Sequence, residues 1–336
     1  MLKARWKNYG LRWPPTMDSD VKFTEALNRA KETSWKNFGR RIRFYAPSFM
    51  PYGNRYWNNH VRPFPSISVT GHGCALRCRH CSAKLLETMI PVKSPDDLVD
   101  VFQELHRTNA EGCLVSGGCT LDGTVPLETF IGAIAKAKRD LGLKVVVHTG
   151  LVNKDLAGEL ARVEIDAVLI DVIGSNETIR EIYRLNRRVE DYDASLSVLE
   201  QEGVRVVPHV LVGLHYGRLK GEFEALRMVS RHRPAAVIII GFTPVPGTPM
   251  QLCSPASPCD IASVIVEARR LMPKVPLALG CVRPKGKLRE EIDRLAVQAG
   301  VNAITYPDPK AVRLAENLDL KYSFSGLCCS QVYEDF

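Results

Sequence analysis

The sequence lacks any apolar run long enough to cross a bilayer as a helix; its longest strand-like apolar stretch, Ala235 to Ile240, is short. It has no low-complexity tract, no sequence repeat and no recognisable nucleic-acid module, so a membrane span is excluded and nucleic acid is not the expected partner. The N-terminus, Met1-Leu2-Lys3-Ala4-Arg5-Trp6-Lys7, is basic but has no apolar core of the kind a secretory signal needs. A cytoplasmic location is therefore expected, where the ten cysteines serve as free thiols or metal ligands rather than disulfides. At 336 residues the chain can bury a large core unaided, so its size calls for neither staples nor metal.

What is present is the composition of a soluble globular protein with a net charge of +8. The excess is either a solvated surface or a docking face for an acidic partner. Much of it lies in the N-terminal segment, including Lys31, Lys36, Arg40, Arg41 and Arg43, a segment that also reads as containing a basic amphipathic helix around Thr24 to Asn37.

From about Phe64 onward, apolar strand-like runs alternate with amphipathic helical spacing, the signature of a parallel sheet wrapped by helices. Eight strands are expected: Ser66 to Thr70, Gly112 to Ser116, Lys144 to His148, Ala167 to Val172, Arg205 to Val212, Ala236 to Gly241, Pro276 to Gly280 and Ala303 to Tyr306. Their Val and Ile content suits strands buried on both faces. Ser94-Pro95-Asp96-Asp97 reads as a capped helix start, with Leu98, Val101, Phe102 and Leu105 on one face. The loops that follow strands carry the unusual residues. The expected fold is thus a (βα)8 TIM-type barrel with its site at the C-terminal strand ends. Residues 1–62 are read as an N-terminal extension, 63–320 as the barrel and 321–336 as a C-terminal tail, with the Pro-rich Tyr52 to Pro65 region as a linker.

Directly after the first expected strand, Gly71-His72-Gly73-Cys74-Ala75-Leu76-Arg77-Cys78-Arg79-His80-Cys81 supplies three thiols within eight residues. One compact loop can wrap a cluster with that spacing. Three protein ligands leave one iron of a four-iron cluster free, which distinguishes a catalytic cluster from a closed electron carrier. A structural zinc knuckle is the competing interpretation.

At these residues the chain resembles the radical S-adenosylmethionine (SAM) superfamily, defined by Cys-x3-Cys-x2-Cys after the first strand of a barrel. The resemblance implies that Cys74, Cys78 and Cys81 hold a [4Fe-4S] cluster, whose free iron binds the amino and carboxylate groups of SAM. One electron then cleaves SAM to a 5'-deoxyadenosyl radical. His80 stands where the family usually has an aromatic residue near adenine. Ser116-Gly117-Gly118-Cys119 matches the family's Gly-Gly-Glu-Pro, with Cys119 replacing the acid. Asp171 and Arg187 resemble polar SAM contacts of biotin-synthase-like members. Val212, in Val210-Leu211-Val212-Gly213-Leu214, resembles an adenine-lining strand, and Thr243 to Pro249 the loop after the sixth strand.

Biotin synthase places ligands of a second, sulfur-donating cluster on inner strands, where this chain has apolar residues such as Val146 and Val207. Instead, Cys281 follows the seventh strand and Cys328-Cys329 lies in the tail. Together they form a candidate auxiliary [4Fe-4S] site, with Cys119 as a possible fourth thiol. Cys253 and Cys259 are a rival set, and Cys113 reads as a small core residue. With its long extension and terminal Cys-Cys, the chain looks like one component of the two-protein lipoyl synthases. That implies sulfur insertion into an octanoyl chain on a lipoyl-carrier protein, a companion radical SAM protein, and an electron donor such as ferredoxin. Another radical SAM sulfurtransferase or methylthiotransferase is the alternative enzyme, and a non-catalytic iron-sulfur scaffold or electron carrier the alternative of another class. His148, His209 and His215 lie near the same rim, as site residues or as hydrogen-bonded structural groups.

Overall fold

The computed structural model describes residues 17–59 and 64–336. The basic stretch Met1 to Lys7 and positions 60–63 of the expected linker lie outside the described residues. A single eleven-stranded sheet carries the fold, and every pairing between its strands is parallel. In chain order the strands are β1 (Arg41–Tyr45), β2 (Ser66–Ser68), β3 (Ile90–Pro91), β4 (Gly112–Ser116), β5 (Lys144–His148), β6 (Ala167–Asp171), β7 (Val206–Val212), β8 (Val237–Gly241), β9 (Leu277–Leu279), β10 (Ala303–Thr305) and β11 (Lys321–Ser325). Their spatial order is β11-β1-β10-β9-β8-β7-β6-β5-β4-β2-β3. The two edges do not pair with each other, so the curled sheet is an incomplete TIM-type barrel.

All eight strands expected from hydrophobic pattern are present, with ends within two residues. The sheet is wider than expected by three strands: β3, β11 from the stretch read as the tail, and β1 from the stretch read as the extension, which inserts between β10 and β11. The alternation of β1 hides it: Ile42 and Phe44 pack under the helices, whereas Arg41 and Arg43 lie on the opposite face with Tyr45, against Phe336 and Asp335 of the tail. The helix Pro95–Arg107 begins where its cap predicts. Ser94 Oγ accepts from the Asp97 amide at 3.1 Å, and the Asp97 carboxylate accepts from the Ser94 amide at 3.0 Å.

Alternation along each strand divides the core in two. Val145, Val147, Val168, Ile170, Val210, Val212 and Ile239 pack under the helices. Val146, Leu169, Val207, Ile238 and Ala278 face the barrel interior. That interior is filled by the chain's own end. After β11 the tail enters at the C-terminal strand ends, and Cys328, Cys329 and Val332 join the inner cluster. It reaches the opposite end, where Tyr333 Oη donates to the Asp166 carbonyl at 3.0 Å and Phe336 packs edge-on to Phe38. The barrel is therefore plugged at the N-terminal strand ends, and access is left to the C-terminal mouth. Among the described residues, no helix is long and apolar enough to cross a membrane.

Candidate active site

β2 ends at Ser68 and the chain turns at once. The Gly71 amide donates to the Ser68 and Val92 carbonyls, and Thr70 Oγ1 donates to the Gly73 carbonyl at 2.8 Å. The cysteine loop then coils tightly, with the amides of Cys81 and Ser82 both donating to the Cys78 carbonyl. Arg77, Ser82 and Ala83 adopt left-handed φ values of 42°, 47° and 65° to make these turns. Neighbouring strand ends hold the coil in place. Ala75 N–H donates to the Cys119 carbonyl at 2.8 Å, Arg79 N–H to the Ile182 carbonyl at 2.8 Å, and Gly118 N–H to Thr70 Oγ1 at 2.7 Å. Glycine at 118 is a packing requirement, since a β-carbon there would stand 2.0 Å from the Gly73 carbonyl oxygen and 2.6 Å from Cys74 Cα.

Within this coil the thiols of Cys78 and Cys81 and a ring nitrogen of His80 lie within 4.8 Å of one another. Cys74 stands outside that tight group, its thiol donating to the Cys119 carbonyl at 3.9 Å, but its charge still acts on Cys78 and Cys119. Cys78 and Cys81 share a hydrogen bond that splits their titration. It raises Cys78, together with burial, and it lowers Cys81 against burial, with help from His80. The His80 ring tilts against Tyr183 at 5.2 Å between centroids, and its buried Nδ1 has no hydrogen-bond partner. Three thiols on one loop, one already inclined to be a thiolate beside an unpartnered ring nitrogen, fit an iron-sulfur cluster.

Deeper in the mouth, β5, β6 and β7 place His148, Asp171 and His209 on the inner face with their ligand atoms within 4.8 Å. His148 Nε2 lies 3.3 Å from Asp171 Oδ1, and Tyr183 Oη donates to Asp171 Oδ2 at 3.4 Å. His209 Nδ1 sits 3.1 Å from the Val207 carbonyl, which assigns the proton to Nδ1 and leaves Nε2 as an acceptor. Burial alone would raise Asp171, but His148, His209 and His80 hold it down at about 2. His148 is raised, the attraction of Asp171 outweighing burial, whereas burial and His148 push His209 down to about 4. Ser116 Oγ donates to the His148 carbonyl at 3.0 Å, tying β4 to this layer.

The remaining expected positions separate into those that join this interior and those that do not. Cys281, Cys328 and Cys329 share one buried neighbourhood, in which their charges act on one another and Cys328 and Cys329 are hydrogen-bonded. Burial pushes Cys281 up to about 11. These three thiols do not close to the 4.8 Å spread of the Cys78 group. Cys119 lies elsewhere: its neighbours are Cys74, Cys81 and Asp171, so it belongs with the cysteine loop and not with the tail. Gly117 packs its backbone on the Thr70 and Val69 side chains. Val212 points to the helix side of the sheet, because period two assigns the interior to His209 and Leu211. Arg187 is on the exposed rim, donating to the Asp122 carboxylate at 2.8 Å. Cys113 is fully buried under the helices, Cys253 is half-buried there, and Cys259 sits on the first turn of helix Pro258–Leu271. His215 Nε2 lies 3.5 Å from Glu177, outside the inner layer. Tyr183, which touches both His80 and Asp171, carried no signal in the sequence because it ends a single π-helical turn, Ile179–Tyr183, too short to show a period.

The profile of the radical SAM superfamily matches residues 68–221, the span from the end of β2 to the loop after β7. Among characterised proteins, biotin synthase of Prochlorococcus marinus is 25% identical over 249 residues, covering 72% of this chain and 74% of that protein. Biotin synthase of Synechococcus elongatus is 27% identical over 255 residues, covering 72% and 76%. The fold is shared with methylornithine synthase (PylB), at a TM-score of 0.63 and 14% identity over 96% of this chain and 93% of that one. It is shared also with HydG, a maturase of the [FeFe]-hydrogenase, at 0.65 and 16% over 96% and 71%. With the three-thiol loop seated where that profile begins, residues 68–221 match the radical SAM superfamily, and the chain is similar to biotin synthases over about three quarters of its length.

Proposed function

We propose that this radical SAM enzyme inserts sulfur into an unactivated C–H bond of a protein-bound octanoyl chain, as one partner of a two-protein lipoyl synthase. The observation that carries the reading is the meeting of Cys281, Cys328 and Cys329 inside the plugged barrel, a second thiol set close to the inner histidine layer. Radical SAM proteins use a [4Fe-4S] cluster and SAM, which when bound supply a 5'-deoxyadenosyl radical able to break a bond that has no acidic proton.

The chain's own residues set the conditions. Cys74, Cys78 and Cys81 would hold that cluster, with His80, whose Nδ1 has no hydrogen-bond partner, at its side. Gly118 lets the end of β4 pack directly on the cysteine loop, and Ser116 ties the same strand end to the His148 carbonyl. Asp171, kept ionised by His148, offers a hydrogen-bond acceptor at the floor of the mouth. The tail excludes water from below, so a substrate chain entering from the mouth ends between the two thiol sets. Cys281, Cys328 and Cys329 would hold an auxiliary cluster as sulfur source. Direct biotin synthesis fits less well, because the inner positions Val146 and Val207 are apolar and fully buried.

The test is mass spectrometry of an octanoyl-lysine carrier after anaerobic reaction with SAM and a low-potential reductant such as ferredoxin, with and without the companion radical SAM protein. Sulfur addition in the presence of the companion is expected. Formation of 5'-deoxyadenosine with no sulfur added under either condition would rule out the reading.

A further inference from the structure

The segment joining β6 to helix Val189–Gln201 forms one wall of the mouth and carries four exposed arginines, Arg180, Arg184, Arg187 and Arg188. Arg187 is paired with Asp122, and Arg188 approaches Glu190 at 3.5 Å. Arg180 and Arg184 make no ion pair among the described residues; Glu177, which feels the charge of Arg180, is itself paired with Lys220, so the four arginines outnumber the carboxylates Asp122 and Glu190 that pair with Arg187 and Arg188. With Asn176, Leu185 and Asn186 these arginines line a single open depression. The same segment is bonded to the cysteine loop, through Arg79 N–H to the Ile182 carbonyl and the Cys78 thiol to the Tyr183 carbonyl at 3.5 Å. Arg77, also exposed, extends the charge onto that loop.

Arg40, Arg41 and Arg43 of the N-terminal segment are at the other end of the barrel. Arg40 donates to the Leu318 carbonyl, Arg41 donates to the Phe38 carbonyl and lies over Phe336, and Arg43 pairs with Asp335 at 3.4 Å. They are spent on holding the plugged end together. A side-chain arm that must enter the mouth needs its carrier parked on the rim, within the arm's own length.

We propose that Arg180, Arg184, Arg187 and Arg188 are the docking surface for an acidic carrier domain that presents an acyl-lysine to the mouth. The identity of the carrier rests on the function proposed above; the location and charge of the surface do not. Planar guanidinium groups suit bidentate pairing with surface carboxylates, and their field steers an acidic partner to the opening. A single-stranded nucleic acid is disfavoured, because the depression holds no aromatic side chain on which bases could stack.

The experiment measures binding without turnover. Cluster-loaded wild type, R180E/R184E and R180K/R184K are titrated with an acidic, octanoylated lipoyl-carrier domain at about 50 mM and about 300 mM salt. The expectation is about tenfold weaker binding for the reversed variant at low salt, convergence with wild type at high salt, and an intermediate Lys variant. Iron content and carrier-independent 5'-deoxyadenosine formation should be unchanged, which excludes misfolding. Equal affinity and salt dependence for wild type and R180E/R184E overturns the proposal, as does a wild type that binds an RNA oligonucleotide but no carrier. Salt-dependent docking without any sulfur insertion leaves the surface standing and refutes only the assigned reaction.

Discussion

Arg283 and Asp293 form a two-pronged ion pair, 2.7 and 2.9 Å, in which neither side chain has any solvent exposure. Arg283 also donates to the Gly280 and Tyr306 carbonyls, and Asp293 accepts from the Asp308 amide. The pair thereby fixes the loop that carries Cys281 to the end of β10. Breaking one half leaves an uncompensated buried charge, at a cost of about 3–5 kcal/mol. Asp293→Asn should lower the urea midpoint strongly and reduce the iron bound by the second thiol set. Full iron content in a markedly destabilised variant would show that the loop does not need the pair.

Gly118→Ala should fold poorly around the cysteine loop. The added methyl meets the backbone of Gly73 and Cys74, and overpacking of that kind costs about 1–3 kcal/mol. Reconstituted protein should show reduced charge-transfer absorbance and little 5'-deoxyadenosine. Wild-type values would mean that the strand end can move away.

Replacing Cys74, Cys78 and Cys81 together by alanine separates the two thiol sets. Iron and sulfide analysis of the anaerobically reconstituted variant should find a residual cluster on Cys281, Cys328 and Cys329, and no SAM cleavage. An iron-free variant means that the tail thiols bind nothing.

The inner pair His148 and Asp171 gives a pH signature. The raised His148 stabilises the fold fully below the ordinary histidine pKa, and this is lost as pH rises through its folded value. The depressed Asp171 stabilises above the ordinary carboxylate range, and this is lost as pH falls towards about 2. The pair contributes most between about pH 4 and 6.5. Urea unfolding of cluster-free Asp171→Asn should differ most from wild type near pH 5.5 and less at pH 9. A difference of constant size across that range would contradict the assignment.

Removing only residues 333–336 should loosen the plug while sparing every cysteine. The deletion takes away the Tyr333 bond to Asp166, the Glu334 pair with Lys144, the Asp335 contacts with Arg43 and Tyr45, and the Phe336 packing on Phe38. Increased dye binding by the interior and loss of iron from the second set are expected. Unchanged iron would place the anchoring entirely in β11.

The sequence by itself determined the eight alternating strands, the capped helices and the three-thiol loop at a strand end. These are local: period two, period 3.6, a cap or a close spacing is written within a dozen residues. It could not place β1, whose five residues carry two arginines and resemble a polar segment until Ile42 and Phe44 are seen between β10 and β11. Only the tertiary structure decided which distant side chains meet. The registers of β6 on β5 and β7 bring Asp171 level with His209 and beside His148, across about 60 residues of chain. Inward threading of the tail sets Cys328 and Cys329 near Cys281, and the turn after β4 keeps Cys119 with Cys74. Arg187 was legible as a cation but not as a rim residue, because an arginine's partner is chosen by the folded surface. The three-thiol loop is written in one short stretch of sequence; the second thiol set and the arginine-lined depression exist only once parallel strands have stacked in register.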